Sequence, residues 1–552
     1  MTKHIVIVGA GFTGVLAAKL LSKHYKNNSN ADITLIDRHS YFTYLTRIHE
    51  VATDRVPAES VQYDLHQLFN KNPNVHLVTD FVNKIDTDNK KVIGEHGQYD
   101  YDSILISLGG EPNDFGTPGV KENGFTLWSL EDALKLKTHI EDTIAAGAIE
   151  RDPEIRKREL TLVICGSGFT GAETIGELID YRKTLARENK IDPSEIRIML
   201  VEAAPTIINM LSRPNAKKAE DFLTKNGIEI KTGAMITKVD EHQVEIKDSD
   251  PISTDTLVWT AGVKASSIAD SFGIDAGRGG RLIVNKYLQA KGYEDQSFYI
   301  AGDDANVTQE GAQRAVPQTA QEGESEAKFV SHNIEADIDG NKNYKEFKDE
   351  NKGFVVSFGS HYGIAQILKN TSLHGWIATI AKHGSNMVYF WNIKSGRSIW
   401  RYILDEFFRP NDKRTVFGDN TAKNSAALWS VLFRFLLGAA FFFDGMANMH
   451  GSGSTLITGV GGFAAACELS LGCFMFFGLF TSIASFLMII LLLFCPITWP
   501  MTWILIGGSL ALMNGAGRSF GLDHWVIPAV FRSWGKSRYG TPKSLYNDKP
   551  KD

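Results

Sequence analysis

Short runs of apolar and β-branched residues recur along the N-terminal half of the chain. Runs without polar alternation predict strands that are buried on both faces of a parallel sheet. Two of these runs are each followed by a glycine-rich turn and then by apolar residues at helical spacing, over Val15–Leu21 in the first case and up to Leu178 in the second. This order predicts a β-turn-α-β unit that occurs twice, and therefore an α/β fold. The predicted strands are His4–Val8, Ile33–Ile36, Ser103–Ser107, Leu160–Cys165, Ile196–Val201, Thr256–Trp259 and Phe298–Gly302.

The C-terminal part of the chain has a different pattern. Residues 428–517 are almost continuously apolar, and only Arg434, Asp444 and Glu468 carry a formal charge there. A transmembrane helix needs about 20 apolar residues, so this stretch has room for about four spans. The predicted spans are 426–448, 455–480, 482–499 and 501–514. A segment before them, Ile399–Phe408, has apolar residues near helical period and predicts an amphipathic helix.

The two glycine-rich turns have the sequence G-x-G-x-x-G of a dinucleotide-binding fingerprint. In each copy the first glycine makes a tight turn, the second lets the backbone approach a pyrophosphate, and the third lets helix and strand pack closely. The helix N-terminus then offers N–H groups and partial positive charge to the phosphates. A glycine-rich turn without a ligand is the alternative, but two complete copies argue against it. The glycines are Gly9, Gly11 and Gly14 in the first copy and Gly166, Gly168 and Gly171 in the second.

Acidic residues stand at the ends of the strands that follow each fingerprint. Asp37 and Glu202 occupy the positions where a carboxylate binds ribose hydroxyls. Since an acid at the second site repels a 2′-phosphate, NADH is favoured over NADPH. A third acid, Asp303, follows Gly302 at the end of a buried strand and is a candidate for the ribityl chain of a flavin, with a helix cap as the alternative. Two nucleotide sites with this third signal resemble the flavoproteins that use NAD(P)H, which typically hold FAD on the N-terminal copy and the nicotinamide nucleotide on an inserted second copy. The resemblance implies FAD on the first copy and NADH on the second.

Composition narrows the class of protein. The formal net charge is −6, which gives no reason to expect nucleic acid as a partner. Cys165 is the only cysteine before the apolar tail, so neither a redox-active cysteine pair nor a zinc site is predicted. The apolar run that ends at Gly9 is too short for a signal peptide. We therefore expect the nucleotide-binding part to stay in the cytoplasm.

Residues 1–410 resemble a type II NADH dehydrogenase, a single-subunit NADH:quinone oxidoreductase. The matching motifs are Thr34–Arg38, Glu50–Thr53, Ser129–Ala133 and Trp259–Val263. The resemblance implies an enzyme that passes a hydride from NADH to FAD and two electrons on to a membrane quinone, without pumping protons, in a respiratory or extracellular electron-transfer chain. It implies Glu173 and Gln321 as catalytic residues. It also implies cofactor contacts at Gly9, Gly11, Gly14, Asp37, Arg38, Gly109 and Asp303 for FAD, and at Gly166, Gly168, Gly171, Glu202 and Gly262 for NADH.

Some positions leave alternatives open or depart from the family pattern. Glu173 is also placed to stabilise a helix dipole, and Gln321 to make a hydrogen bond at a helix start. Ser325 stands where the family has a second glutamine, and Thr46 and His49 stand where it usually has proline and tyrosine. These departures concern the quinone side. A membrane-anchored NADH-dependent flavin reductase with a non-quinone acceptor is therefore the alternative function.

The tail resembles a DoxX-like four-helix membrane domain, on Arg434, on the segment Glu468–Gly472 and on the segment Asn514–Asp523. Arg434 and Glu468 are candidates for an ion pair between the first two spans, either structural or functional. Basic residues flank the apolar block on both sides, so the positive-inside rule places both termini in the cytoplasm and makes the protein a multi-pass protein of the cell membrane. Expected partners are a menaquinone-type quinone, the lipid bilayer and, where the chain self-associates, a second copy in a homodimer.

These inferences combine into one architecture. We expect two Rossmann-like dinucleotide-binding domains, the second inserted into the first, followed by a four-helix transmembrane domain. The predicted boundaries are 1–112 and 271–335 for the FAD-binding domain, 113–270 for the NADH-binding domain, 336–412 for a membrane-proximal region with the amphipathic helix, 426–516 for the four spans and 517–552 for a cytoplasmic tail.

Overall fold

A computed structural model gives the fold as two compact units, Met1–Thr421 and Ala422–Asp552. The unit boundary falls just before the predicted start of the apolar domain at residue 426. The structure describes residues 2–26, 30–309, 314–349, 353–367, 371–408, 414, 427–450, 462–494, 501–513, 516–518, 521–523, 526–527 and 529–530.

The first unit contains a five-stranded parallel sheet built around the first fingerprint. Its central strand Lys3–Val8 pairs on both sides, and its last four residues are buried, as expected of an apolar run inside a parallel sheet. The strand that contains Phe298 joins this sheet at one edge, although it lies almost 200 residues beyond its partner in the chain. The strand order is Phe298–Ile300, Ser103–Ile106, Lys3–Val8, Ala31–Asp37 and Val75–Thr79.

A second five-stranded parallel sheet is built around the second fingerprint. All its strands lie in the chain between Ser103–Ile106 and Phe298–Ile300, two strands of the first sheet. This order is the one that an inserted domain requires. Its strand Thr161–Cys165 is fully buried along its whole length. The strand order is Gly124–Thr126, Thr256–Trp259, Thr161–Cys165, Arg197–Glu202 and Ile228–Thr232.

Helices cover these two sheets. The helix of the second fingerprint extends to Asn189, well beyond the predicted end at Leu178, because Tyr181, Leu185 and Ala186 continue its buried face. It ends at Lys190, which has a left-handed backbone conformation. The helices of more than four residues before position 340 are Phe12–Tyr25, Ile48–Ala52, Leu130–Ile149, Pro153–Glu159, Phe169–Asn189, Arg213–Lys225 and Ala320–Ile338.

Three three-stranded antiparallel sheets, which the sequence patterns did not predict, also belong to the first unit. One of them contacts the helix of the second fingerprint and supplies Ser357 to the site described below. Their strands are Val82–Asp86, Lys91–Gly94 and Gln98–Asp100, then Ile236–Asp240, Gln243–Ile246 and Ile252–Ser253, and finally Gly353–Phe358, Tyr362–Ile367 and Thr371–His374.

The structure differs from the prediction of an amphipathic helix at Ile399–Phe408. Residues 399–408 are helical, within Gly396–Ile403 and a π-helical turn Leu404–Phe408, but Tyr402 and Glu406 are completely buried in this segment. The exposed apolar residues lie instead on the preceding helix Trp376–Asn392. They are Trp376, Ile377, Val388 and Trp391, which recur at helical spacing on one face.

The described part of the second unit contains four apolar helices. Among the described residues, Ser430–Met449 is the one helix with the length and composition to cross a membrane. The other three are shorter, and parts of the spans predicted at 455–480 and 482–499 lie outside the described residues. The four helices are Ala427–Met449, Gly462–Phe477, Thr481–Phe494 and Met501–Leu512.

The predicted pair of Arg434 and Glu468 is wrong. Arg434 donates to the carbonyl of Ala516 at 2.8 Å, whereas Glu468 accepts from Nδ2 of Asn448 at 2.9 Å. The cause is the antiparallel packing of the first two helices, in which a Cβ at Gly445 would lie 2.6 Å from the backbone N of Leu469. Glu468 therefore lies level with the C-terminal end of the first helix, and Arg434 lies near the opposite end.

Candidate functional site: two fingerprints around one cavity

Both fingerprints line one cavity of about 1650 Å³ in the first unit. A pocket for one small ligand typically measures about 300–1,000 Å³, so this cavity has room for two nucleotides. Its wall includes Gly11 and Asp37 from the first fingerprint unit, Gly168 and Glu202 from the second, and Asp303 from the edge strand. The carboxyl ends of both parallel sheets therefore open onto the same space, where ligands of open α/β sheets bind.

Two glycines of the first fingerprint are required by the protein itself. Gly9 has φ +102°, and a Cβ there would lie 2.2 Å from the carbonyl oxygen of Ser107. A Cβ at Gly14 would lie 1.9 Å from the carbonyl oxygen of Gly9. A side chain at either position would therefore push helix and strand apart, as the fingerprint roles predict.

Gly11 is different, because among the described residues no atom apart from those of its two chain neighbours lies within 4 Å of the place where its Cβ would be. It precedes the helix Phe12–Tyr25 in an extended conformation that any residue adopts, and it faces the cavity. Packing within the protein therefore gives no reason for a glycine here. Open space at the N-terminus of a helix is what the close approach of a pyrophosphate needs.

The second fingerprint repeats this arrangement. Gly166 has φ +97°, and a Cβ there would lie 2.6 Å from Cα of Ala261, while a Cβ at Gly171 would lie 2.0 Å from the carbonyl oxygen of Gly166. Gly168 again has no protein atom within 4 Å of a Cβ and lines the cavity. The two turns thus provide two separate places for a pyrophosphate.

Each predicted ribose-binding acid accepts a hydrogen bond from the backbone of its fingerprint turn. Oδ2 of Asp37 accepts from the backbone N of Ala10 at 2.7 Å, and Oε2 of Glu202 accepts from the backbone N of Ser167 at 2.7 Å. Burial raises the pKa of the Asp37 carboxyl. Both acids line the cavity, and the exposed Arg38 lines it next to Asp37.

The turn after the edge strand brings Asp303 to the cavity. Gly302 has φ +84°, and its backbone N donates to Glu326, a residue that sequence reasoning did not select. Burial raises the pKa of Asp303 to about 6 and that of Glu326 to about 8. The neighbouring Asp304 accepts from the backbone N of Gly109 at 2.8 Å, which fixes that predicted glycine against the same turn.

Glu173 lies on the second fingerprint helix, at the wall of the cavity, with 8% of its surface exposed. Its Oε1 lies 2.9 Å from Nζ of Lys382 and accepts from the backbone N of Ser357 at 3.2 Å. Its Oε2 lies 3.8 Å from Nε2 of His49. Sequence reasoning did not select Lys382 or Ser357. The available signal was the single lysine in a mostly apolar helix.

The structure does not bring Gln321 to the cavity wall. Gln321 lies half-buried in the first turn of the helix Ala320–Ile338, and its neighbours Ala320 and Gly323 line the cavity, whereas Gln321 is not among the described residues that do. Gly262 does line it, and a Cβ there would lie 2.6 Å from the ring of Phe115.

A buried group of charged side chains lies behind Glu173. Arg47 binds Glu50 and Glu406, each with a nitrogen–oxygen distance of 2.7 Å, and Arg55 binds Glu177 at 2.6 Å and also contacts Glu406. All five side chains are at most 1% exposed. We call these five residues the buried ion cluster. Sequence reasoning missed it, because its members are scattered over 360 positions.

Two dinucleotide-binding folds that share one cavity define a class of nucleotide-dependent oxidoreductases. Residues 3–327 match the family model described as pyridine nucleotide-disulphide oxidoreductase. The type II NADH:quinone oxidoreductase of Staphylococcus saprophyticus is 30% identical over 368 residues, which are 66% of this chain and 90% of the relative. The enzyme of Staphylococcus aureus gives the same identity and coverage. The chain therefore belongs to the type II NADH:quinone oxidoreductase family.

Solved structures agree with this fold. NDH2 from Plasmodium falciparum in complex with NADH matches with a TM-score of 0.65 and 17% identity, over 73% of this chain and 97% of that one. The sulfide:quinone oxidoreductase of Aquifex aeolicus matches with a TM-score of 0.58 and 18% identity, over 72% and 92% of the two chains.

The position of Glu202 leads to a prediction about nucleotide preference. Glu202→Gln keeps an oxygen that accepts from Ser167 but removes the charge that would repel a 2′-phosphate. We expect the preference for NADH over NADPH to narrow by about 1–3 kcal/mol, measured as the ratio of kcat/KM values with a dye acceptor. Glu229→Gln, which removes a carboxylate paired with Arg197 on the neighbouring strand, is the control and should leave the ratio unchanged. Equal use of both nucleotides by the unaltered protein would contradict this role of Glu202.

Proposed function

We propose that the chain is an NADH:quinone oxidoreductase that passes a hydride from NADH to bound FAD and two electrons on to a quinone, without pumping protons. The observation that carries this proposal is the single cavity onto which both fingerprints, Asp303 and Glu173 open. Family membership supports the same reaction. Bound FAD would supply the redox chemistry, and the protein supplies binding, orientation and electrostatics.

The residues fit the two nucleotides, because both second glycines leave open space beside a helix N-terminus. We assign the first sheet to FAD and the second to NADH, with domain boundaries near 112, 270 and 335. In this assignment FAD is held by Gly9, Gly11, Gly14, Asp37, Arg38, Gly109 and Asp303, and NADH by Gly166, Gly168, Gly171, Glu202 and Gly262.

Glu173 is the residue of this chain best placed to hold a proton at the cavity wall. Lys382 and Ser357 orient its carboxyl group through Oε1, which leaves Oε2 as the oxygen for proton exchange. We assign to Gln321 an indirect role, as a residue that helps set the first turn of the helix beside Ala320 and Gly323.

We further propose that the protein works at the cytoplasmic face of the cell membrane. The apolar face of Trp376–Asn392 is suited to an interfacial position, and the apolar helices of the second unit are suited to the bilayer. Multi-pass insertion, both termini in the cytoplasm, a menaquinone-type acceptor and a homodimer are parts of this proposal that rest on the sequence.

A membrane-anchored NADH-dependent flavin reductase of a non-quinone acceptor is the second candidate. The position of Gln321 away from the cavity wall and the serine at position 325 favour it, since both concern the quinone side.

Steady-state turnover separates these two functions. The purified full chain should oxidise NADH with a water-soluble quinone at a rate comparable to that with a dye acceptor, because the same cavity serves both. Turnover with the dye but with none of a panel of naphthoquinones and benzoquinones would support the second candidate instead.

A further inference from the structure

The two carboxyl oxygens of Glu173 have different surroundings. Oε1 is bound by Lys382 at 2.9 Å and by the backbone of Ser357 at 3.2 Å, and Lys382 is itself held by Oγ of Ser357 at 2.6 Å. Oε2 faces Nε2 of His49 across 3.8 Å, which is longer than a hydrogen bond. The oxygen that remains for proton exchange therefore points at an imidazole.

His49 is 2% exposed, and its Nε2 makes no hydrogen bond to any residue that the structure describes. A buried polar atom without a partner is unfavourable, so it calls for an explanation. The charged groups around the ring, besides Glu173, are Lys382 on the facing helix and, on its own segment, Arg47, Glu50 and Arg55.

The protonation state of His49 follows from this environment. Burial, and next the positive charge of Lys382, hold the pKa of the His49 imidazole well below its usual range. The ring is therefore neutral at physiological pH. A neutral imidazole nitrogen and a carboxylate oxygen can share one proton between them. Such a proton would shorten the distance between Nε2 of His49 and Oε2 of Glu173 from 3.8 Å to that of a hydrogen bond.

The proposed reaction needs such a proton. NADH, one proton and a quinone give NAD⁺ and a quinol, so two quinone carbonyl oxygens become hydroxyl groups. The hydride supplies two electrons and one hydrogen, and the second hydrogen must arrive as a proton from the protein or the solvent. A group at the cavity wall that holds one proton can therefore deliver it when the quinone is reduced.

We propose that His49 is a positioning residue which shares, with Oε2 of Glu173, the proton that quinone reduction consumes. The shared proton leaves Oε2 for the quinone oxygen, so that the Glu173 O–H bond breaks and the quinol O–H bond forms. The pair then returns to its separated state and is reloaded from solvent. This inference deepens the proposed function and rests on it.

The test compares His49→Gln with His383→Gln in the full-length holoenzyme. His383 is an equally buried histidine whose Nε2 also makes no hydrogen bond to a described residue, but this nitrogen faces Glu406 at 3.3 Å instead of Glu173. The flavin is first reduced with NADH without oxygen and then mixed with a water-soluble quinone or with ferricyanide. Ferricyanide accepts electrons without taking up protons, so it reports electron transfer alone.

We expect His49→Gln to slow reoxidation by the quinone about 10²-fold and to change the pH dependence of that rate, with the ferricyanide reaction and the NADH half-reaction unchanged. His383→Gln should react with the quinone, with ferricyanide and with NADH at the rates of the unaltered protein. If His49→Gln loses its flavin, His49→Asn provides the same comparison.

Two results would overturn the role of His49. One is an unchanged rate and pH profile with the quinone, and the other is equal slowing with quinone and ferricyanide, which would indicate a merely structural residue. Failure of the proposed function looks different, because the unaltered protein would then react with ferricyanide but not with any quinone. That result would remove the basis of this inference as well.

Discussion

Replacement of Gly11 by valine should give a folded protein that is colourless and inactive, whereas Gly168→Val should remain yellow and fail to turn over NADH. Among the described residues, neither Cβ would meet an atom within 4 Å apart from those of its own chain neighbours, so we expect the fold to be kept. Each would instead occupy the space that a pyrophosphate needs. The measurements are the flavin absorption of the purified protein and its bleaching by NADH.

The design separates the two nucleotides and controls for general damage. Gly384→Val places the same side chain at another position with no protein atom within 4 Å, on the helix Trp376–Asn392, and should leave both flavin content and turnover intact. Gly14→Val should fail to fold, because its Cβ would lie 1.9 Å from the carbonyl oxygen of Gly9. A yellow, active Gly11→Val protein would show that the first fingerprint does not hold the flavin.

Removal of one arginine from the buried ion cluster should have the largest effect on stability. Arg55→Met leaves Glu177 without its arginine partner at 2.6 Å and leaves Arg47 as the one arginine bound to Glu406. Because these carboxylates stay buried and lose a counter-charge, we expect the free energy of unfolding to fall by about 3–5 kcal/mol. Thermal release of the flavin from the full chain measures this loss.

An exposed ion pair provides the matched control. Lys217 is paired with Glu220 and Asp221 on a helix surface, where side chains remain hydrated. Lys217→Met should therefore leave the temperature of flavin release almost unchanged. If Arg55→Met melts at the same temperature as the unaltered protein, the cluster does not stabilise the first unit.

The fingerprints could be predicted from sequence because their physics is local. Gly9 to Gly14 and the strand before them form one continuous pattern, and Asp37 follows in the next strand at the distance that the fold requires. The same holds for Gly166 to Glu202. Buried apolar strands and the glycines of the turns can each be recognised within a few residues of sequence. The predicted bounds of these strands and turns therefore agree with the structure to within one or two residues.

The surroundings of Glu173 could not be predicted, because they come from distant parts of the chain. Ser357 belongs to an antiparallel sheet without strong alternation, and Lys382 to a helix whose other members suggested no chemistry. Glu406 lies in a segment whose apolar period predicted an amphipathic helix, while its pairing with Arg47 and Arg55 depends entirely on tertiary structure. Similarly, Arg434 and Glu468 looked like partners until the antiparallel packing of their helices separated them.

The most direct test of the account is a two-step measurement on the unaltered, purified full chain in the absence of oxygen. NADH should bleach the flavin absorption completely, and a water-soluble quinone added afterwards should restore it with one quinol formed per NADH consumed. This result requires that NADH and the quinone both reach the bound flavin. A flavin that NADH does not bleach, or a reduced flavin that no quinone reoxidises, would contradict the account.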